Sequence, residues 1–285
     1  MDHSTPRRHD LPLSDGCSLH AAQGGSGPDV VLVHGSLSLL EDMLIGPYEA
    51  LAAQFRVTAV DRPGHGRSGR PRLQGSIWRQ ADALNEASGR LRLERPVVVG
   101  HSFGGAVALA WALRHPASIA GLVLLAPIAF PEPRLEHLLF GPRAVPLAGD
   151  LIARTSAQAF DALAAPALAR AMFWPQEVPD RMRAEFPLQL VLEPRHMQAE
   201  GEDALEAIPD LARAAMLYPT CRLPVRILAG SQDRVVNPSL HGRLLARLLR
   251  RAEFSRIEGL GHMLHHFAQP EIVAAVEAVR EFASP

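Results

Sequence analysis

The sequence predicts an α/β protein, a mostly parallel, doubly wound sheet with a helical insertion between two of its strands. Three observations carry this. Short aliphatic runs rich in valine and isoleucine recur along the chain with helical segments between them, the pattern of strands joined by helical crossovers. Each run ends in a loop rich in Gly, Ser, Asp and His. Finally, the strand rhythm stops from residue 131 to 218, where prolines recur, and returns at 224. A connection of that length needs structure of its own.

Residues 1–10 are polar and read as a flexible N-terminal arm, so the core is expected over 11–130 and 219–285. Gly16 to Ala22 is a candidate edge strand, closed by Gly24-Gly25-Ser26-Gly27-Pro28, a strong turn signal. Asp29 to Val33 reads as a buried strand and Glu41 to Gln54 as a helix. Phe55 to Val60 is the next strand, and Ile77 to Leu91 the next helix. Pro96-Val97-Val98-Val99 forms the central strand. The helix after it, from about Ala106, stops at His115-Pro116 because the residue before a proline disfavours the helical region. Ile119 to Leu125 is a further buried strand. The 131–218 insertion is expected to hold short helices: Gly149–Ala164, Pro166–Phe173, Asp180–Phe186 and Asp203–Ala215. Val225 to Gly230, a helix from Pro238 to Leu249, Ala252 to Ile257 and a helix from Pro270 to Phe282 complete the core.

Composition narrows the chemistry. The chain has 285 residues, 47% hydrophobic and 21% charged, with a net charge of −1. No basic face for nucleic acid or anionic membrane is implied. All basic residues counted with Arg are arginines, since the sequence contains no lysine. A Walker P-loop, a Schiff-base lysine and a Ser-Lys dyad are thereby excluded. Two isolated cysteines, Cys17 and Cys221, make neither a disulfide framework nor a zinc site. Arg7-Arg8 is not followed by the apolar stretch an export signal needs, and no apolar run approaches membrane-spanning length, so a cytoplasmic bacterial protein is expected. Gly64-His65-Gly66-Arg67-Ser68-Gly69 matches a dinucleotide-binding fingerprint. Pro63 before it and Pro71 after it prevent the helix that fingerprint must open, so it is a decoy.

The reactive centre is Gly100-His101-Ser102-Phe103-Gly104-Gly105, between the central strand and its helix. So tight a strand-to-helix turn leaves no room for side chains two residues either side of the serine. It strains the serine backbone and exposes the hydroxyl beside the free N–H groups of a helix start. A serine hydroxyl needs a base, and the base needs an orienting group. Ser102, Asp233 and His262 supply all three, each in a loop after an expected strand, and in a parallel sheet such loops gather at one end.

These landmarks, with His34-Gly35, the Asp61-Arg62-Pro63-Gly64-His65-Gly66-Arg67-Ser68 stretch, Gly230-Ser231-Gln232-Asp233 and Gly261-His262, resemble the α/β-hydrolase superfamily over nearly the whole chain. The resemblance implies Ser102 as nucleophile, His262 as general base and acid, and Asp233 as the orienting carboxylate. It also implies an oxyanion hole from the backbone N–H groups of Ser36 and Phe103, and a helical cap over 131–218. Phe130, Leu138, Phe140, Met172, Phe173, Trp174 and Phe186 are candidates to line an acyl or alcohol pocket, and Arg195 and His196 to meet a polar substrate.

Other residues are set aside. His101 adjoins the serine but points away from it on such a turn, and His34 and His65 shape loops. Among the last histidines, only His262 follows the Gly259-x-Gly261 turn, and His266 is a local contact. Asp61 precedes the serine, the wrong order for the acid, and Leu125-Ala126-Pro127 offers no carboxylate. Serine at 102 excludes the aspartate nucleophile of haloalkane dehalogenases and epoxide hydrolases. Ser36 to Leu40 lacks the Gly-rich stretch usual in meta-cleavage-product hydrolases. The expected activity is acyl-enzyme hydrolysis of a small or medium carboxylic ester by water, without metal or organic cofactor, in a monomer or homodimer. The same triad could also serve C–C, lactone or amide hydrolysis or acyl transfer, or the fold could bind a ligand without catalysis.

Overall fold

The computed structural model describes residues 5–133, 141–145 and 156–283. Eight strands form one sheet: β1 (Arg7–Pro12), β2 (Ser18–Gly24), β3 (Asp29–Val33), β4 (Arg56–Val60), β5 (Val97–His101), β6 (Gly121–Leu125), β7 (Val225–Gly230) and β8 (Ala252–Ile257). Their order is β1-β2-β4-β3-β5-β6-β7-β8. β1 and β2 run antiparallel to each other, β2 runs antiparallel to β4, and every other pair is parallel.

The strand sequences explain the two-sided core. Within β3, Val31 and Val33 enter one apolar cluster while Val30 and Leu32 enter the other. The same alternation places Val98 on one face of β5 and Val97 and Val99 on the opposite one. Fully buried parallel strands are therefore continuous aliphatic runs instead of alternating ones. One face is covered by α3 (Ile77–Arg90) and α4 (Phe103–Arg114), with α8 (Pro194–Leu217) packed on them. The opposite face holds the helical stretch made of α1 (Leu40–Met43), a π-helical turn at Leu44–Tyr48 and α2 (Glu49–Ala52), together with α10 (Gln269–Ala283). Between β6 and β7 lie α5 (Ser156–Phe173), α6 (Asp180–Glu185), α7 (Leu188–Val191) and α8, and between β7 and β8 lies the short α9 (Leu245–Leu248).

Three expectations need correction. Residues 7–10 are not part of a loose arm: they pair with β2, Arg7 opposite Gln23 and Asp10 opposite His20. The polar composition of 7–10 suits an exposed outer strand. In consequence β2 is an internal strand, not an edge. The expected helix break at Pro166 is absent, and Pro209 also lies inside a helix. Each proline removes one N–H, but the residues four positions earlier, Ala162 and Leu205, are exposed, so water can take the freed carbonyls.

Candidate active site

The loops after β3, β5, β7 and β8 open at the same edge of the sheet. Ser102 follows β5 directly, with φ 52° and ψ −118°, a conformation that costs a non-glycine residue of order 1–3 kcal/mol. The strain is held by backbone bonds. Ser102 N–H donates to Leu125 O at 2.9 Å, and Ser102 O accepts from Gly105 and Ile128 N–H at 2.9 and 3.0 Å. Space explains the glycines. A Cβ on Gly100 would meet the Gly104 carbonyl oxygen at 2.5 Å, and one on Gly104 would press on the carbonyl oxygens of Val33 and His34.

His262 lies beyond β8 and Asp233 beyond β7, whose ends are in register at Gly230 and Ile257. His262 Nδ1 is 2.9 Å from Asp233 Oδ2, and both side chains are fully shielded. Asp233 Oδ1 accepts the N–H groups of Val235 (2.8 Å) and Val236 (2.9 Å), which fixes the carboxylate and leaves its second oxygen for the imidazole. His262 Nδ1 is thereby the protonated nitrogen and Nε2 the basic one. Among the described residues no hydrogen bond joins Ser102 Oγ to His262. Such contacts are commonly long before substrate binds.

Ser36 and Phe103 line one cavity with Ile128, Glu200, Ala204 and Leu211. Phe103 is the first residue of α4, so its N–H has no partner within the helix. The Ser36 N–H is oriented through its own peptide plane. The Gly35 carbonyl is held by His34 Nδ1 at 2.8 Å and Arg62 Nη2 at 3.2 Å. In a planar trans peptide the N–H of Ser36 points the opposite way. His34 and Arg62 are wholly buried, and Arg62 N–H donates to His34 Nε2 at 3.0 Å.

The expected pocket residues lie elsewhere. Phe130 packs edge-on against Tyr218 and beside His241 in the core. Phe173 packs on His266 and Phe267, and the Arg234 guanidinium lies over the Trp174 ring. Met172 and Phe186 are half-buried, and none of these five lines the cavity. Leu138 and Phe140 lie outside the described residues. Instead Glu200, Asp203, Ala204, Ala207, Ile208 and Leu211 of α8 line it, a helical stripe at spacings of three and four. Its period is present in the sequence, but it was not singled out there. Arg195 and His196 face the loop at Gly66: Arg195 Nη2 donates to its carbonyl at 2.9 Å, and its N–H reaches His196 Nδ1 at 3.3 Å.

A second, unforeseen network backs the site. Asp42 of α1 is fully buried and accepts from His265 Nε2 (3.0 Å), His266 Nε2 (2.7 Å) and Ser38 Oγ (3.0 Å). Burial alone would raise its pKa, but the facing His265 and His266 imidazoles hold it well below the usual carboxylate range. His101 lies between His262 and His265 with the rings tilted at 48° and 46° and centroids at 4.8 and 4.2 Å, and its Nε2 is 3.2 Å from the His262 carbonyl oxygen. Asp61 anchors its turn by accepting Leu40 and Arg67 N–H, both at 2.9 Å, and burial raises its pKa to about 6.

Two groups have metal-ligating atoms near one another, Asp42-His101-His265 and His65-His196-Glu200. Neither fits an ion well. The Asp42 oxygens are already taken by three donors, and His101 Nδ1 faces the Gly35 backbone. His196 Nδ1 accepts from Gly66, which puts the proton on Nε2, and the Arg62 guanidinium lies 3.9 Å from Glu200.

Similarity to known proteins places the fold. The model of the alpha/beta hydrolase fold family matches residues 28–269. The chain belongs to that family. An uncharacterized protein of Mycobacterium tuberculosis is 28% identical over 275 residues, 92% of this chain and 77% of that protein. A monoacylglycerol lipase of Xenopus laevis is 27% identical, over 86% of this chain and 73% of the lipase. Among solved structures, a putative epoxide hydrolase from Pseudomonas aeruginosa superposes with a TM-score of 0.81 at 20% identity, covering 98% of each chain. A fold match at that identity carries the architecture and not the reaction. Membership in the α/β-hydrolase family supports hydrolytic chemistry. Among the described residues, no helix is long and apolar enough to cross a membrane.

Proposed function

We propose that the chain is a serine hydrolase that cleaves a small or medium carboxylic ester through an acyl-enzyme. The observation that carries this reading is the shielded His262–Asp233 pair, 2.9 Å apart at the sheet edge where Ser102 stands on its strained turn. Ser102 Oγ attacks the ester carbonyl and His262 Nε2 takes its proton. The oxyanion is received by the N–H groups of Ser36 and Phe103, each worth about 2.7–4 kcal/mol in the barrier. Collapse breaks the C–O bond, and the departing alcohol takes the proton from His262. Water then attacks the acyl-enzyme, His262 accepts its proton, the acid leaves and Ser102 is restored. Asp233 stays ionised and steadies the imidazolium.

The helices between β6 and β7 serve in this reading as a cap whose α8 stripe meets the acyl group. Apolar Ile128, Ala204, Ala207 and Leu211 along the cavity support an aliphatic or aromatic acyl portion. Serine in place of an aspartate nucleophile argues against epoxide opening. We place the protein in the cytoplasm, acting on a small-molecule ester and water. The test is steady-state hydrolysis of a panel of p-nitrophenyl esters by wild type and Ser102→Ala. Turnover that disappears in Ser102→Ala, with an unchanged circular dichroism spectrum, supports the proposal. Equal turnover in the two proteins overturns it.

A further inference from the structure

The loop that carries Ser36 contains a strained residue fastened from outside the core. Leu37 has φ 52°, in the left-handed region that a branched side chain avoids. Its N–H donates to Glu200 Oε1 at 2.6 Å, a contact spanning 163 residues from the loop after β3 to α8. Glu200 is 3% exposed. The Leu37 N–H is the nearest group to that oxygen: His65 Nε2 lies at 3.3 Å, His196 Nε2 at 3.6 Å and the Arg62 guanidinium at 3.9 Å.

Two consecutive peptide planes flank Ser36. The first, Gly35–Ser36, is fixed from within the core by His34 and Arg62. The second, Ser36–Leu37, is fixed by Glu200. Past it, the chain is anchored again by Ser38 to Asp42 and by Leu40 to Asp61. The Leu37 N–H is thus the point at which α8 reaches into the loop. Rotation of that second plane would let Leu37 relax toward negative φ and would carry the Ser36 backbone with it.

We propose that Glu200 is a positioning residue that holds Leu37 in its left-handed conformation and so keeps the Ser36 N–H aimed at the site. The hole is then complete only when α8 is seated on the core. This rests on the reading of Ser36 as an oxyanion donor. Arg62 ties the parts together: it holds the Gly35 carbonyl, lies beside Glu200, and forms a 2.5 Å ion pair with Asp203 on the next turn of α8. Burial would raise the Glu200 pKa, but the neighbouring His196, His65 and Arg62 keep it well below the usual range, so the acceptor is a carboxylate at neutral pH. A charged acceptor makes the stronger hydrogen bond.

The test is the second-order rate of Ser102 labelling by a fluorophosphonate, together with kcat and KM on an ester that wild type turns over. Glu200→Ala should slow labelling and lower kcat on the order of 10- to 100-fold, short of the 10²–10³-fold lost when a donor is removed outright. KM should change little. Glu200→Gln, whose amide oxygen can still accept from Leu37, should keep a larger share of the rate. The decisive variant is Glu200→Ala with Leu37→Gly: glycine adopts positive φ without strain, so it should recover part of the lost rate. A merely structural Glu200 gives no such recovery, and that result overturns the proposal. So does a folded Glu200→Ala that labels at the wild-type rate. If Glu200→Ala does not fold, amide hydrogen exchange of wild type decides, with protection at Leu37 expected and exchange at the rate of a free loop amide contrary. Absence of Ser102 labelling in wild type would instead strike at the serine-hydrolase reading itself.

Discussion

Replacing Gly100 by alanine would test whether the geometry of the turn sets the rate. The added Cβ would sit 2.5 Å from the Gly104 carbonyl oxygen, 2.8 Å from its carbon and 2.9 Å from Gly105 Cα. All three are backbone atoms of the first turn of α4, so no side chain can swing aside. Ordinary contact begins at 3.4 Å, and β5 must therefore part from the start of α4 by about 1 Å. That displacement falls between the strand that leads into Ser102 and the helix turn that carries the Phe103 N–H. A misplacement near 1 Å in a reacting constellation costs on the order of 10²-fold in rate, and overpacking of this kind about 1–3 kcal/mol in stability. Gly100→Ala should thus lower kcat on an ester about 10²-fold and lower the urea midpoint. A folded variant within about threefold of wild-type kcat would refute the reasoning, because the site would then tolerate the shift.

Asp233→Asn should lower kcat on the order of 10³–10⁴-fold with the fold intact. The Val235 and Val236 N–H groups would keep the amide oxygen, which turns the NH2 toward His262 Nδ1 and selects the wrong tautomer. Burial, with Arg62 beside it, lowers the His65 pKa from 6.5 to about 4. Between those values the unfolded chain takes up a proton that the folded one refuses, so stability falls as pH drops from 6.5 to 4, by roughly 3 kcal/mol from this group. Urea unfolding at pH 7 and pH 5 should show the loss, and His65→Asn should reduce it. Asp42→Asn should cost about 1–3 kcal/mol at neutral pH by leaving an imidazole N–H of His265 or His266 without its acceptor. Because that carboxylate titrates below its ordinary range in the fold, the gap to wild type should hold above pH 4 and close only below it; a gap that closes between pH 7 and 5 would contradict the assignment.

Much of this was legible in the sequence because it is local. The turn at Ser102 announces itself through glycines whose positions leave no space for a Cβ. The parallel strands announce themselves through aliphatic runs buried on both faces. Asp233 and His262 were findable because each closes a strand, and the sheet brings strand ends together. The features that escaped depend on contacts between distant segments. Asp42 meets His265 and His266 across more than two hundred residues, and Leu37 meets Glu200 across 163. Nothing in Leu37 itself signals positive φ. The aromatic residues expected in the pocket were chosen for apolarity alone, which does not distinguish lining a cavity from packing the insertion on the core. The α8 stripe had the needed period, but mixes carboxylates with alanines and reads like an ordinary amphipathic face. β1 escaped because an outer strand with exposed polar residues has the composition of a loose terminus.

The central claim is that Ser102 is a nucleophile activated by His262. Its most direct test is labelling of the purified protein with a fluorophosphonate, read by intact mass and peptide mapping. The account predicts one adduct per chain, on Ser102, that is lost in His262→Ala. A folded wild-type protein that takes up no label, or takes it up on another residue, would contradict it.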